Sequence, residues 1–103
     1  IWIYADDDYS ASLEIEYCNI INGAYYGLSF SGTSIGKISN CNFYNNDFGV
    51  KAFDNTNLEI ENSNFIDNQT YGLGIITEDP IVTISYSNSW NNSNGDYWEN
   101  CPG

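Results

Sequence analysis

One segment of the chain recurs four times at a nearly constant spacing. Each copy opens with Ile and closes with Gly, and the copies lie at residues 15–27, 38–49, 60–72 and 84–95. The leading Ile residues are separated by 23, 22 and 24 residues, and the closing Gly residues by 22, 23 and 23. A fixed period in the twenties predicts a solenoid, in which every repeat forms one coil and stacks on its neighbours.

Each repeat contains segments typical of short β-strands. Apolar and polar residues alternate near the start of every copy, so that one set of side chains points inward and the other outward. The predicted inward set is Leu13, Ile15, Ile38, Leu58, Ile60, Val82 and Ile84. No segment shows a convincing 3.6-residue period, so no helix is predicted.

Two bends are predicted in every coil, because Asn tolerates a left-handed backbone and its amide can bond to its copy one coil away. The first bend falls at residues 17–18, 40–41, 62–63 and 86–87. The second falls at residues 22–23, 45–46, 67–68 and 91–92.

Charge limits the partners of this chain. It has 103 residues, two Lys, no His and a formal net charge of −12. Such a charge repels nucleic acid and anionic membranes and permits metal cations or basic partners. Aromatic residues make up 17% of the chain and recur with the repeat, which argues against disorder.

Neither a signal peptide nor an apolar run long enough for membrane insertion is visible. The chain opens on Ile1 rather than Met, so we expect a mature form or a piece of a longer protein. The acidic, Asn-rich and Lys-poor composition is typical of an extracellular or cell-surface prokaryotic protein.

The repeated unit, Ile-x-Asn-Cys/Ser-Asn-Phe-x-Asn-Asn followed by Gly-Val/Leu, resembles the right-handed parallel β-helix repeat of the pectate-lyase-like superfamily. The resemblance covers nearly the whole chain and implies an all-β solenoid of about four coils, with 22–24 residues in each coil. Residues 1–103 would form one segment, with a partial first coil at 1–12 and coils beginning near 13, 36, 58 and 82. A left-handed β-helix would need a hexapeptide period, which is missing. The same scaffold carries lyases, hydrolases, epimerases, phage tailspikes and adhesins, so it does not specify one function.

Six carboxylates fall in equivalent turns, which stacking would bring to one edge of the solenoid: Asp6, Asp7, Asp8, Asp54, Glu78 and Asp79. Since pectate-lyase-like enzymes hold calcium with clustered carboxylates, the resemblance makes calcium the expected cofactor here. The other interpretation, which we favour, is an acidic edge that keeps the surface solvated.

Catalysis is disfavoured by the composition. Without His, neither Ser–His–Asp nor Cys–His chemistry is available. A lyase on this scaffold needs Arg or Lys as a base, but the chain has no Arg, and Lys37 and Lys51 lie on different segments. We therefore expect a non-catalytic structural or adhesive β-helix segment. The alternative is part of a protein that binds or cleaves polysaccharide as a lyase, hydrolase or epimerase.

Several aromatic residues are expected to face outward, where rings stack on sugars or on another protein. The candidate contacts are Trp2, Tyr4, Phe53, Trp90 and Trp98. The alternative, which we favour, is that these rings pack on turns and neighbouring loops. A polysaccharide is accordingly one expected partner.

Cys18 and Cys41 occupy equivalent positions in adjacent coils, which would lie about 4.8 Å apart, within the range of a disulfide. The alternative is a stack of buried thiols, which is favoured because Ser63 and Ser87 fill the same position in later coils. Two N-glycosylation patterns begin at Asn68 and Asn91, and chance matches are expected in an Asn-rich chain.

The two ends of the solenoid form a final expected interface. A coil covers its core only sideways, so an end without a cap exposes an apolar layer. The sequence shows no capping helix before Ile1 or after Trp98. We expect these ends to contact flanking coils of the same parent protein or further copies of the chain, which would stack into a fibre or stalk.

Overall fold

The computed structural model describes residues 1–6, 8–77 and 79–98. These residues form short β-strands joined by tight bends. They contain no helix that is long and apolar enough to cross a membrane. In chain order the strands are β1 (Trp2–Ala5), β2 (Ser12–Glu16), β3 (Asn19–Ile21), β4 (Tyr26–Gly32), β5 (Ile35–Ser39), β6 (Asn42–Tyr44), β7 (Phe48–Ala52), β8 (Asn57–Glu61), β9 (Asn64–Ile66), β10 (Tyr71–Ile75), β11 (Ile81–Ser85), β12 (Asn88–Trp90) and β13 (Gly95–Tyr97).

The strands stack into three parallel sheets. The first sheet has the order β1-β4-β7-β10-β13, the second β11-β8-β5-β2 and the third β12-β9-β6-β3. Successive coils therefore supply successive strands of every sheet. The register follows the sequence repeat: Glu14 pairs with Lys37, which pairs with Glu59, which pairs with Thr83. The predicted all-β parallel solenoid of about four coils is confirmed.

The core is a set of columns, each built from one inward position of the repeat. Phe43 and Phe65 of the third sheet stack with their ring centroids 5.1 Å apart and their planes 9° apart. Other central columns hold Leu28, Val50 and Leu73 of the first sheet and Ile38, Leu58 and Ile60 of the second, all 0–1% exposed. The equivalent residues of the outer coils are only partly buried, because one side of each lies at an end of the solenoid: Leu13, Ile15, Ile20, Val82 and Ile84.

The bends adopt the left-handed backbone that the repeat predicts. At the first bend φ lies between 48° and 54°, at Tyr17, Asn40, Asn62 and Tyr86. At the second bend φ lies between 53° and 58°, at Asn22, Asn45, Asp67 and Asn91. Asn and Asp tolerate this region, whereas Tyr rarely enters it. Tyr17 and Tyr86 are therefore held there by the coils that pair with them.

A buried ladder of asparagines, formed by Asn46, Asn68 and Asn92, runs beside the second bend. The backbone N–H of Asn46 donates to Oδ1 of Asn68 over 3.1 Å, and the N–H of Asn68 donates to Oδ1 of Asn92 over 2.9 Å. The Asn68 amide nitrogen in turn donates to the Phe43 carbonyl. In the described part of the chain, every buried side-chain nitrogen or oxygen has a hydrogen-bond partner, as a low-dielectric interior requires.

Candidate ligand-binding groove

The outer face of the first sheet is rich in aromatic side chains. Outward positions alternate with the core residues along each strand. In register, Trp2 lies beside Ser29, Ser29 beside Lys51, and Lys51 beside Gly74. Two residues further along β1, Tyr4 lies beside Ser31. Small residues of the second coil thus lie between large residues of the first and third.

This alternation produces a groove of about 610 Å³ across β4. Trp2 and Tyr4 form one wall, and Phe53 and Asp54 form the other. Ser29 and Ser31 lie between the walls, and Tyr25 and Tyr26 complete the lining. The walls come from coils two steps apart, so their backbones are separated by about 9–10 Å. That distance accommodates one flat ring or one extended chain between aromatic surfaces.

Polar groups at the floor complement the rings. The Trp2 indole N–H donates to the Ser31 hydroxyl over 2.8 Å, which fixes the orientation of the indole. Ser29 is 3% exposed and lies at the floor of the groove, between Trp2 and Lys51. Trp2 remains 70% exposed and Tyr4 55% exposed, with their ring centroids 5.7 Å apart. The groove therefore offers accessible rings above a small number of hydroxyl groups.

Lys51 packs against aromatic rings beside the groove wall that the third coil forms. Its ammonium nitrogen lies 4.2 Å from the Phe48 ring centroid, 4.5 Å from that of Tyr26 and 5.3 Å from that of Phe53. The same nitrogen donates to the Tyr26 hydroxyl over 3.4 Å. A Cβ at Gly74 would lie 2.8 Å from the Phe48 ring, so glycine at this position leaves room for that ring. Cation–π contacts thus link groove residues from two coils.

Two of the six predicted calcium ligands meet at the end of the groove. Asp6 and Asp54 line a smaller pocket of about 280 Å³ together with Gly32. Asp54 accepts a hydrogen bond from the Gly32 N–H over 3.1 Å. Asp8 and Asp79 are exposed and do not line this pocket.

The remaining two candidate ligands, Asp7 and Glu78, lie outside the described residues. Among the residues that the structure describes, no group of three or more His, Cys, Asp or Glu is arranged to hold a metal. Of the four described candidates, Asp6 and Asp54 therefore share one pocket.

The five predicted contact aromatics divide among three locations. Trp2, Tyr4 and Phe53 line the groove. Trp98 follows β13 and meets the Tyr71 ring edge-on, with centroids 4.8 Å apart. Trp90 lies in β12 of the third sheet and is 66% exposed. Only the first three are placed to contact one ligand.

The cysteines lie in a column of equivalent side chains. Cys18 and Cys41 are both free thiols. The Cys41 thiol donates to the Ser39 carbonyl, the Cys18 thiol to that of Glu16 and the Ser63 hydroxyl to that of Glu61, each two residues earlier. Burial raises the pKa of the Cys41 thiol above its ordinary value. Each thiol thus takes the place of a serine hydroxyl in a structural column.

Glycosylation at Asn68 does not fit the structure. Its side chain is 0% exposed and forms the centre of the buried ladder, so an attached glycan would break the hydrogen bonds on both sides. Asn91, the second candidate, is exposed. Its amide donates to an Asp67 carboxylate oxygen over 2.5 Å.

Sequence reasoning missed several groove residues. Tyr25, Tyr26, Ser29 and Ser31 line the groove without having been singled out as binding residues. One signal was available, because the repeat register places small Ser29 between large Trp2 and Lys51. Alignment of the coils by outward position would have indicated a depression there.

Comparison with known proteins identifies the fold alone. A family model described as "Right handed beta helix region" matches residues 2–101. No curated protein matches the chain, and no solved structure does.

Proposed function

Because the chain belongs to the right-handed β-helix family, we propose that it is a non-catalytic, adhesive segment of an extracellular β-helix protein and binds a glycan chain in its aromatic groove. The observation that carries the proposal is the pairing of Trp2 and Tyr4 on one wall with Phe53 on the other, across a serine floor. Pyranose rings present C–H faces that stack on aromatic rings and hydroxyl groups that bond to polar side chains.

Charge favours a neutral glycan over an acidic one. The chain carries a net charge of −12, and Asp6 and Asp54 lie beside one end of the groove. A polyuronate would meet repulsion from both the whole molecule and this pair. A neutral sugar would instead donate hydroxyl hydrogen bonds to the carboxylates, which are strong acceptors. The Lys51 ammonium beside the groove already contacts three rings.

Isothermal titration calorimetry against a panel of oligosaccharides tests the proposal. The panel contains neutral gluco-, manno- and xylo-oligosaccharides and acidic oligogalacturonate and alginate, each with and without Ca²⁺. We expect binding by at least one neutral member and none by the acidic members. Product analysis of the same mixtures checks for cleavage, and either cleavage or binding confined to acidic members would contradict the proposal.

Two matched Trp variants localise the binding. Trp2→Ala removes a groove wall and is expected to weaken binding about tenfold, because a lost aromatic contact costs about 1–2 kcal/mol. Trp90→Ala removes an equally exposed ring from another sheet and is expected to bind as the wild type does. Equal weakening in the two variants would place the binding site elsewhere.

A second candidate function is end-to-end assembly. It is supported by the partly buried apolar layers at the two ends, formed by Leu13, Ile15 and Ile20 in one and by Val82 and Ile84 in the other. A further coil, from the parent protein or another copy, would cover either layer. Light scattering at increasing concentration tests assembly: we expect open-ended growth in particle length, and a monodisperse monomer throughout would contradict it.

A further inference from the structure

The aromatic groove adjoins the smaller acidic pocket at one end. Tyr4 and Asp54 line both cavities, so a ligand can pass from one into the other. Along β4 the lining runs from Tyr26 to Ser31 and then to Gly32, where the acidic pocket begins. Since β4 spans seven residues, this path is about 20 Å long. A ligand that follows the strand therefore meets aromatic rings first and carboxylates at the end.

The acidic pocket favours a positively charged group. Asp6 directly follows β1, Asp54 lies two residues after β7, and both are exposed. The Gly32 N–H donates to the Asp54 carboxylate and so holds it at the mouth of the pocket. The two basic side chains of the chain lie elsewhere, Lys37 in β5 of the second sheet and Lys51 among the rings of the first. A cation for this pair of carboxylates therefore comes from the ligand, and the net charge of −12 attracts it.

The aromatic face of the first sheet already holds an ammonium group. The Lys51 ammonium nitrogen lies 4.2 Å from the Phe48 ring centroid and 4.5 Å from the Tyr26 ring centroid. Tyr26 lines the groove, so at least one ring of the lining makes a cation–π contact. Trp2 and Tyr4 offer exposed ring faces on the opposite wall, where a cation carried by a ligand can make the same contact.

We propose that the groove prefers a glycan with free amino groups over its neutral counterpart, and that Asp6 and Asp54 bind one amine as an ammonium. The inference rests on the glycan-binding role proposed above and specifies the class of glycan. An amino sugar keeps the C–H face of a neutral sugar and carries an amine in place of one hydroxyl. It therefore makes the same ring contacts and adds charge-assisted hydrogen bonds to the carboxylates.

The order of the lining groups favours an amino sugar over a basic peptide. Rings, serine hydroxyls and carboxylates follow one another along a single strand. A sugar chain carries C–H faces, hydroxyls and amines together on rigid rings, which matches that order. A lysine side chain carries its ammonium at the end of a flexible stem, and fixing that stem costs rotational entropy.

Three oligosaccharides of equal length test the preference, because they share a β-1,4-linked backbone and differ only at C2. The cello-oligosaccharide has a hydroxyl there, the chitin oligosaccharide an acetamido group and the chitosan oligosaccharide an amine. Isothermal titration calorimetry in mildly acidic buffer, where the amine is protonated, measures the three affinities. We expect the chitosan oligosaccharide to bind about tenfold more tightly than either neutral member, and added NaCl to reduce this advantage.

Variants of the pocket localise the preference. Asp54→Asn removes the charge, keeps an oxygen for the Gly32 N–H and tolerates the φ of 55° at this position. We expect Asp54→Asn and Asp6→Asn each to bring the chitosan and cello affinities to within about threefold of each other. Glu14→Gln, the matched control, removes the same charge from an exposed position on the second sheet and keeps the wild-type ratio. An equal loss in Glu14→Gln overturns the assignment of the preference to this pocket, and circular dichroism checks that each variant is folded.

The outcomes separate this inference from the proposed function. Equal binding of the three oligosaccharides overturns the amine preference and leaves glycan binding in place. Binding of none of them contradicts the proposed function as well. An oligolysine peptide of the same charge provides the last comparison. If it binds as tightly as the chitosan oligosaccharide and depends equally on Asp54, the ligand is a basic peptide and the inference is overturned.

Discussion

At the scale of single residues, the buried ladder shows why Asn recurs in this chain. Asn68 accepts a hydrogen bond from the coil before it and donates to a carbonyl of that coil, while its own N–H bonds to Asn92 in the coil after it. Asn is suited to this position, because its side chain offers a donor and an acceptor at the end of a short stem. One position of the repeat thus links three coils.

We expect Asn68→Ala to lower the free energy of unfolding by about 1–3 kcal/mol, because it leaves the buried Asn46 N–H without its acceptor and removes one donor from the Phe43 carbonyl. Urea denaturation measures the change. The matched control is Asn88→Ala, which removes an exposed amide that donates to the Asn64 side chain and for which we expect about 0.5 kcal/mol or less. Equal losses in the two variants would contradict a structural role for the buried ladder.

The reactivity of the Cys41 thiol at alkaline pH reports whether this side chain is buried in the core. Burial raises its pKa, so it stays protonated and unreactive at pH values where an unfolded thiol begins to ionise. We expect alkylation by iodoacetamide at pH 8 to modify Cys18, which is partly exposed, well before Cys41. Peptide mass spectrometry measures the two rates, and equal rates in the folded chain would contradict this burial.

The same pKa shift has a defined effect on stability. Because the folded thiol holds its proton more tightly than the unfolded thiol, its contribution to stability is fully present below the unfolded pKa. That contribution is lost as the pH rises through the folded pKa. Cys41→Ser should therefore show a shallower loss of stability above pH 9 than the wild type.

At the scale of elements, each sheet has a distinct outer face on a common core. The first sheet carries the aromatic groove, and the second carries the column of Glu14, Lys37 and Glu59. The strands of the third sheet contain no charged residue. The inward residues repeat from coil to coil, whereas the outward residues differ. The differences between the three outer faces therefore come from positions that the repeat leaves free to vary.

Substitution of Lys51 tests whether glycan binding depends on the contacts between this side chain and the rings of the groove. We expect Lys51→Ala to weaken glycan binding by about two- to fivefold, because each exposed cation–π contact contributes about 0.5–1 kcal/mol to holding the rings. Lys51→Arg keeps the cation and should restore most of the affinity. Lys37→Ala on the second sheet is the matched control, and a loss of affinity in that variant equal to the loss in Lys51→Ala would point to a general charge effect.

The sequence predicted the coils and bends well, but it predicted the groove only in part. Apolar residues such as Ile60 and Phe65 recur once in every coil, which identifies them as core residues. Asn62 and Asp67 recur in the same way at the bends. Both features depend on the backbone repeat, which the sequence shows. The groove depends on differences between coils, such as Ser29 lying between Trp2 and Lys51, which a consensus hides. The sequon at Asn68 is a related case, because a three-residue pattern carries no information about burial and this side chain is 0% exposed.

At the scale of the whole molecule, the solenoid is a one-dimensional stack. Each coil contacts the coils directly before and after it, so stability is approximately a sum of coil and interface contributions. The molecule can then lose one complete coil without losing its fold. The two walls of the groove lie on the first and third coils, so loss of the third coil removes the groove.

Deletion of residues 36–57 tests this modular description. The deletion joins Ile35 to Leu58, which preserves the register because Ile35 pairs with Asn57. We expect a folded β-solenoid with a lower unfolding temperature, and no glycan binding because Lys51 and Phe53 are removed. Circular dichroism and the oligosaccharide titration measure the two properties. Deletion of residues 36–46 removes half a coil and should unfold the chain, and a folded product would contradict the one-coil unit.

The proposed binding of a neutral glycan to the outer face of the first sheet can be measured residue by residue. The measurement follows the backbone amide resonances of the ¹⁵N-labelled chain while a binding oligosaccharide is added. We predict that the largest shifts fall on Ser29, Ser31 and Phe53, with little change at Asn42 and Asn64 of the third sheet. Shifts concentrated on the third sheet, or no shifts with any neutral oligosaccharide at saturating concentration, would show that the groove is not a glycan-binding site.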